Sequence, residues 1–243
     1  MLPFPKNPPV LLRARTKLYT FRPANYGALG WWITSTASIS VKPGLPTIDT
    51  INDLSGNARH VSVTSNLIHA TRLVNAWKGW DGIVGNAAFY QGATTPVTGN
   101  GARSYVAVAM MCSGGRIQYI CAHGGNAAQQ MYGLRVNSSN QIGAIGFSAD
   151  YNSSSTLTTT RPHVVASTYA ALTHKLYLDG ASIGSGTSVA LNTPVGSPLQ
   201  LNCRPQPVEG GHFLTFDAML FTEELSAATI AAMSLELRAM YQF

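Results

Sequence analysis

His163-Val164-Val165-Ala166-Ser167-Thr168-Tyr169, followed by Lys175-Leu176-Tyr177-Leu178-Asp179-Gly180, is the stretch whose reading decides the fold. Both runs are of strand length and rich in β-branched, aromatic and other apolar residues. Asp179-Gly180 is a type I′ turn signal, because both central positions of that turn need positive φ. Downstream, Phe213 to Phe221 reads as another strand, and Leu225-Ser226-Ala227-Ala228-Thr229-Ile230 opens a helix. Ser226 is placed to cap it, its hydroxyl accepting from orphan amides of the first turn. Ile230, Met233, Leu237 and Met240 recur at helical spacing as one apolar stripe.

Outward from this stretch, β signals recur at short intervals. Arg103 to Cys112 sets Tyr105, Ala107, Ala109 and Met111 on one face and Val106, Val108 and Met110 on the other. Apolar residues on both faces predict a central strand covered on two sides. Gly114-Gly115 is expected to turn it back into Arg116 to Ala122 as a hairpin. Such a two-residue turn sets Cys112 opposite Ile117 and Cys121 opposite Val108, so no disulfide is expected between them. Met131 to Val136 and Gln141 to Phe147 flank the polar turn Asn137-Ser138-Ser139-Asn140 as a further hairpin. Tyr151 to Thr160 is nearly all Asn, Ser and Thr and reads as a surface loop or a wide edge. Trp31-Trp32-Ile33 is a short strand candidate and Pro43-Gly44-Leu45-Pro46 a turn. No internal repeat is visible.

The order of these pieces resembles the laminin-G-like, concanavalin A-like family. The resemblance runs from about Trp31 to Tyr241. Near its start, Asp53-Leu54-Ser55-Gly56-Asn57 looks like the family's Asp-x-Ser-Gly-Asn turn. The resemblance implies an all-β, two-sheet antiparallel jelly-roll sandwich with one short C-terminal helix. Similar domains occur in bacteriophage virion proteins, lectins and glycosidases, and function resides in loops grafted on the sandwich.

Composition narrows the choice. The chain has 243 residues, 45% of them hydrophobic and only 11% charged, against roughly a quarter charged in an ordinary soluble chain. A surface solvated by hydroxyls and amides suits secreted or virion proteins. Lys6, Arg13, Arg15, Lys17, Arg22 and Lys42 all precede the first acid, Asp49, so the whole excess of +6 lies near the N-terminus. Residues 1–25 read as an extended, Pro-rich basic arm and residues 26–243 as the jelly-roll domain. Phe4, Lys6, Arg13, Arg15 and Lys17 are the expected docking residues of that arm; the plainer alternative is a solvated edge that lacks acids. Nucleic acid is disfavoured, since the body has no basic excess to track phosphates. The N-terminus has no apolar core run of a signal peptide, and no stretch is long and apolar enough for a membrane-spanning helix.

Chemistry is sparse. The hydrolases of the resembled family carry Glu-x-Asp-x-x-Glu on one strand, and nothing here matches. Glu223-Glu224 precede the helix, where acids favour the positive dipole end, and no Gly-x-Ser-x-Gly elbow exists. No enzymatic activity is therefore expected. His163 and His174 are expected on neighbouring strands, as edge residues. Glycan binding needs aromatic faces beside hydrogen-bonding groups. Trp77, Trp80 and Asp81, with Asn126 and Tyr132 from other loops, are the candidate glycan residues, weighed against burial of Trp80 in the core. No cofactor or metal is expected; calcium through Asp150, Tyr151 and Asn152, or Asp81 with Asn86, is the weaker option. The reading is a non-enzymatic bacteriophage virion structural protein on the capsid or tail. It docks on other virion proteins through the arm, is open to homo-oligomerisation, and displays the sandwich toward host surface glycans. The alternative is a glycan-binding lectin domain, and after it an endoglycanase.

Overall fold

Two-sided apolarity of the Arg103 strand sets the architecture. The computed structural model describes residues 21–243, apart from 22, 29, 34–38, 42–47, 64–69, 85–89 and 204–211. The arm residues Phe4, Lys6, Arg13, Arg15 and Lys17, the turn at 43–46, and Asn86 lie outside the described residues. A 3₁₀ turn, Pro23–Tyr26, precedes β1 (Gly30–Ile33), β2 (Ile39–Val41), β3 (Ile48–Ile51) and β4 (Val61–Val63). Next come β5 (Thr71–Trp77), β6 (Trp80–Val84), β7 (Tyr90–Thr94), β8 (Arg103–Met111) and β9 (Gln118–Gly124). β10 (Met131–Val136), β11 (Gln141–Ile145), β12 (Tyr151–Thr156), β13 (His163–Ala170) and β14 (Thr173–Leu178) follow. The chain closes with β15 (Ala181–Thr187), β16 (Pro198–Leu201), β17 (Phe213–Phe221) and α1 (Ala227–Tyr241).

These strands form two antiparallel sheets, the expected sandwich. One sheet has the order β15-β14-β13-β8-β17-β6-β5, with β1 also on β17. The other runs β12-β11-β10-β9-β16-β7-β4-β3-β2. Tyr105, Ala107, Ala109 and Met111 of β8 enter the core between the sheets with Ile120, Leu134, Val165, Leu176, Leu199 and Leu220. Val106 and Val108 point the other way, under α1, where Ile230, Met233 and Leu237 cover them. Full burial of each such side chain contributes about 1.5–3 kcal/mol. Ser226 caps α1, its Oγ accepting from Thr229 N at 3.0 Å.

One local expectation is revised. β8 and β9 do not form a hairpin: they belong to different sheets, and Gly114-Gly115 lies in an arch between layers. The reason is that both edges of β8 are taken by β13 and β17. Cys112, Cys121 and Cys203 are not joined in disulfides. Of the two alternatives for Tyr151 to Thr160, Tyr151 to Thr156 takes the edge: it is the outermost strand of its sheet, and Tyr151 lies across β15. A Cβ on Gly186 would sit 2.3 Å from the Tyr151 ring, so glycine is required there for the sheets to meet. Asp179 and Gly180 adopt φ of 51° and 89°, the expected type I′ turn, and join β14 to β15. Phe21, at the end of the expected arm, is 1% exposed and stacks on Tyr26.

Candidate functional site

The residues proposed from sequence for glycan binding do not share one exposed face. Trp77 and Trp80 bracket the β5–β6 turn. Trp80 is 4% exposed with its ring 4.8 Å from that of Tyr241. Trp77 Nε1 donates to the Tyr241 carbonyl at 3.0 Å. Asp81 accepts from Asn75 N at 2.9 Å and from Arg72 Nε at 3.0 Å. This hairpin is therefore fastened to the C-terminal end of α1. Tyr132 is fully buried between the sheets, its hydroxyl donating to Ser167 Oγ at 3.0 Å. Asn126 is half-buried in the β9–β10 loop, with Oδ1 unpartnered. Burying a large ring stabilises the fold more than displaying it, and that preference disperses the set.

The histidine and calcium candidates separate too. His163 pairs in register with Ala109, whereas His174 pairs with Tyr169 at the other end of β13. His163 Nδ1 lies 3.0 Å from Asp179 Oδ2. Asp150 is bridged to Arg135 at 2.9 Å and accepts from Gly146 N. Among the described residues no three His, Cys, Asp or Glu side chains group as a metal site.

The β17–α1 junction builds a polar concavity instead. Its volume is about 500 Å³, and it is lined by Asn25, Tyr26, Glu223, Glu224, Ser226 and Thr229. Each wall is fixed from below. Buried Ser104 donates from Oγ to the Glu223 carbonyl at 2.7 Å and accepts from Leu225 N at 2.9 Å, which pins the loop carrying both acids. Lys175 Nζ holds Glu224 at 2.8 Å. The Tyr26 ring stacks on Phe21 with centroids 5.7 Å apart, and its hydroxyl donates to Glu236 Oε1 at 2.6 Å. That bond, with partial burial and the charge of Glu236, pushes the phenol up to about 12, so it stays protonated. One aromatic ring beside amide, carboxylate and hydroxyl groups is the group set that orients a polyhydroxylated ligand. In the sequence Glu223 and Glu224 read only as helix-start acids, and Tyr26 falls at the arm boundary. The Asn25-Tyr26-Gly27 turn, with Gly27 at φ 73°, was the local signal.

Behind a neighbouring stretch of rim lies a buried network that no motif announced. Arg103 is fully buried. Its Nε donates to the Gly101 carbonyl at 2.8 Å and Nη2 to the Gly99 carbonyl at 2.7 Å. Nη1 donates to Thr193 Oγ1 at 2.6 Å and lies 3.2 Å from His123 Nε2. The guanidinium has only donors, so Nε2 must accept, and the neutral ring carries its proton on Nδ1, 2.8 Å from the Tyr105 hydroxyl. Burial first, and Arg103 second, hold His123 well below the usual histidine range. Tyr132 stacks on His174 at 5.9 Å and 8°, extending the network across the core. Its role is to fix the 98–101 and 193 loops to the core.

No known protein family matches the chain, and no curated protein does. Solved structures do. A Trypanosoma rangeli sialidase superposes with a TM-score of 0.63 at 14% identity, over 88% of this chain and 33% of its own. The chain thus spans about a third of the length of that sialidase. Domain 4 of a GH43 extracellular arabinanase from Geobacillus stearothermophilus, in complex with arabinotriose, has a TM-score of 0.63 at 12% identity. That match covers 86% of this chain and 98% of the domain. A GH54 α-L-arabinofuranosidase gives 0.61 at 16% identity, over 80% of this chain and 51% of its own. At these identities the likeness establishes the fold, a two-sheet β-sandwich shared with parts of carbohydrate-active proteins. It overturns the reading as a non-enzymatic virion structural protein, because the matched chains are a sialidase, an arabinanase domain and an arabinofuranosidase. The expectation that no enzymatic activity is involved falls with it.

Proposed function

We propose that this chain is a carbohydrate-recognising β-sandwich of a carbohydrate-active protein, and that a saccharide seats in the concavity beside Tyr26. The concavity carries the reading: a half-buried ring flanked by Asn25, Glu223, Glu224, Ser226 and Thr229 on a braced loop. Carboxylates and amides accept or donate to sugar hydroxyls in fixed directions, and the ring offers an apolar wall for C–H faces. The near-complete coverage of an arabinanase domain solved with arabinotriose supports a saccharide as the ligand class.

The test is calorimetric titration of the chain with arabinotriose, xylotriose, cellotriose and sialyllactose, while released monosaccharide is assayed in the same samples. Binding to at least one is expected, weakened ten-fold or more by Tyr26→Ala and by Glu223→Ala. The product assay reports directly whether recognition is accompanied by turnover. No measurable binding to any saccharide, or binding untouched by both substitutions, removes this site from consideration.

A further inference from the structure

The nine-stranded sheet turns one face to the core; the residues of its other face line up across the strands. Ser40 pairs with Thr50, Thr50 with Ser62, Ser62 with Gln91, and Gln91 with Gln200. Residues directly opposite in antiparallel strands project to the same side. The flanking residues Ile51, Val61, Leu199 and Leu201 belong to the core between the sheets. The five paired residues therefore form one row on the outer face. Four steps between neighbouring strands make the row about 19 Å long. Every member is a hydroxyl or a primary amide, able to donate and accept, and none is charged. Ser40, Ser62 and Gln91 are exposed, Thr50 is half-exposed, and Thr50 Oγ1 lies 3.1 Å from Ser62 Oγ.

The closed end of the row carries a second, independent mark. Gln200 is 94% buried, at 6% exposure, yet its Oε1 accepts no hydrogen bond. On its far side it pairs with Ala122, which belongs to an apolar cluster with Tyr119, Met131 and Ile145 on that outer face. A buried amide oxygen left unpaired is costly to the fold and is the kind of exception that asks for a partner. It lies beside the exposed Gln91, where the polar row meets the apolar cluster.

We infer that this row is a second carbohydrate surface, for an extended, uncharged polysaccharide lying across β2, β3, β4, β7 and β16. Sugar hydroxyls engage the exposed Ser, Thr and Gln side chains strand by strand, and a turn of the Gln200 amide toward the row brings its Oε1 to one of them. A row open along its length takes internal segments of a chain, whereas the rim concavity takes a short saccharide. The absence of charge in the row gives no attraction for sulfated or carboxylated polymers. Beyond the ligand being carbohydrate, this inference is independent of the concavity.

The experiment is affinity electrophoresis of the chain in gels containing linear arabinan, xylan, mannan or polygalacturonate, with arabinotriose titrated separately. Retention by at least one neutral polymer is expected. Gln91→Glu and Ser62→Asp, both at exposed positions, are expected to weaken it ten-fold or more while leaving trisaccharide binding unchanged, and Tyr26→Ala is expected to do the reverse. Gln200→Leu, which removes the unpaired oxygen, is expected to keep or raise the unfolding midpoint while retention falls. Retention within two-fold of wild type in all three row variants overturns the inference, as does preference for polygalacturonate or failure to bind any polymer. Polymer retention without trisaccharide binding supports the row and counts against the concavity alone.

Discussion

Arg103 is a cation inside a sandwich with no carboxylate against it among the described residues; carbonyls, a threonine hydroxyl and a neutral imidazole serve instead. Removing one side of such a buried network leaves the rest unsatisfied. Arg103→Met is expected to cost about 1–3 kcal/mol for each buried acceptor it leaves unpaired, read as a lowered midpoint in urea denaturation. His174 makes a second prediction at this scale. It is fully buried, with Tyr169 4.9 Å and Tyr132 5.9 Å from its ring, and neither ring nitrogen is in hydrogen-bond geometry. Burial lowers it to about 4, although the nearby Ala149 carbonyl and Asp150 pull weakly the other way. A histidine held neutral in the fold and free to protonate when unfolded contributes stability above its unfolded value near 6.5. That contribution is lost as pH falls toward 4. The loss amounts to about 3 kcal/mol. Urea midpoints between pH 7 and pH 4 are expected to fall less in His174→Phe than in wild type by that amount, the part that remains including the contribution of buried His123.

Two elements carry local signals strong enough to test alone. The cap of α1 rests on one hydroxyl, so Ser226→Ala is expected to cost about 1 kcal/mol without altering the strands, as seen by denaturant midpoint and near-UV circular dichroism. The β14–β15 turn is more tightly bound. Asp179 accepts from Val164 N at 3.0 Å and from Arg161 Nη2 at 2.8 Å. Burial raises its carboxyl, but those bonds and His163 outweigh it and hold the group down at about 2. Beside it, Gly180 sits at φ 89°, and a Cβ there would lie 3.1 Å from Ser234 of α1. Gly180→Val thus combines backbone strain with a clash, and its expected cost, about 2 kcal/mol or more, exceeds that of the cap variant. Reversal of this order in unfolding experiments would contradict the geometry of the turn.

At the scale of the whole molecule, ligand binding and stability are linked. A saccharide that binds only the folded sandwich, supplied at a hundred times its dissociation constant, adds about 2.7 kcal/mol. For a chain of this size that raises the thermal midpoint by about 5–10 °C. Differential scanning fluorimetry with the saccharide that binds, against no sugar, reads this directly. Tyr26→Ala is expected to abolish the shift for a ligand of the concavity. The fold itself is dominated by pairings between strands distant in sequence, such as β8 with β13 and β17 with β1.

The sandwich was legible because its signals are local. The two-sided apolarity of Arg103 to Met111, the Asp179-Gly180 turn, and the Ser226 cap with its apolar stripe each arise from residues close in the chain, governed by side-chain period and backbone sterics. The candidate sites were not legible for the opposite reason. Tyr26 and Glu236 stand 210 positions apart, and only the packing of α1 on its sheet brings them together. Ser40, Thr50, Ser62, Gln91 and Gln200 become a row through strand register, which several long connections determine jointly. Trp80 and Tyr132 went inward because ring burial between layers outweighs their polar atoms, a balance set by what covers them. Local sequence thus determined the elements and their patterning, whereas tertiary structure decided which polar groups meet and which aromatic rings reach solvent.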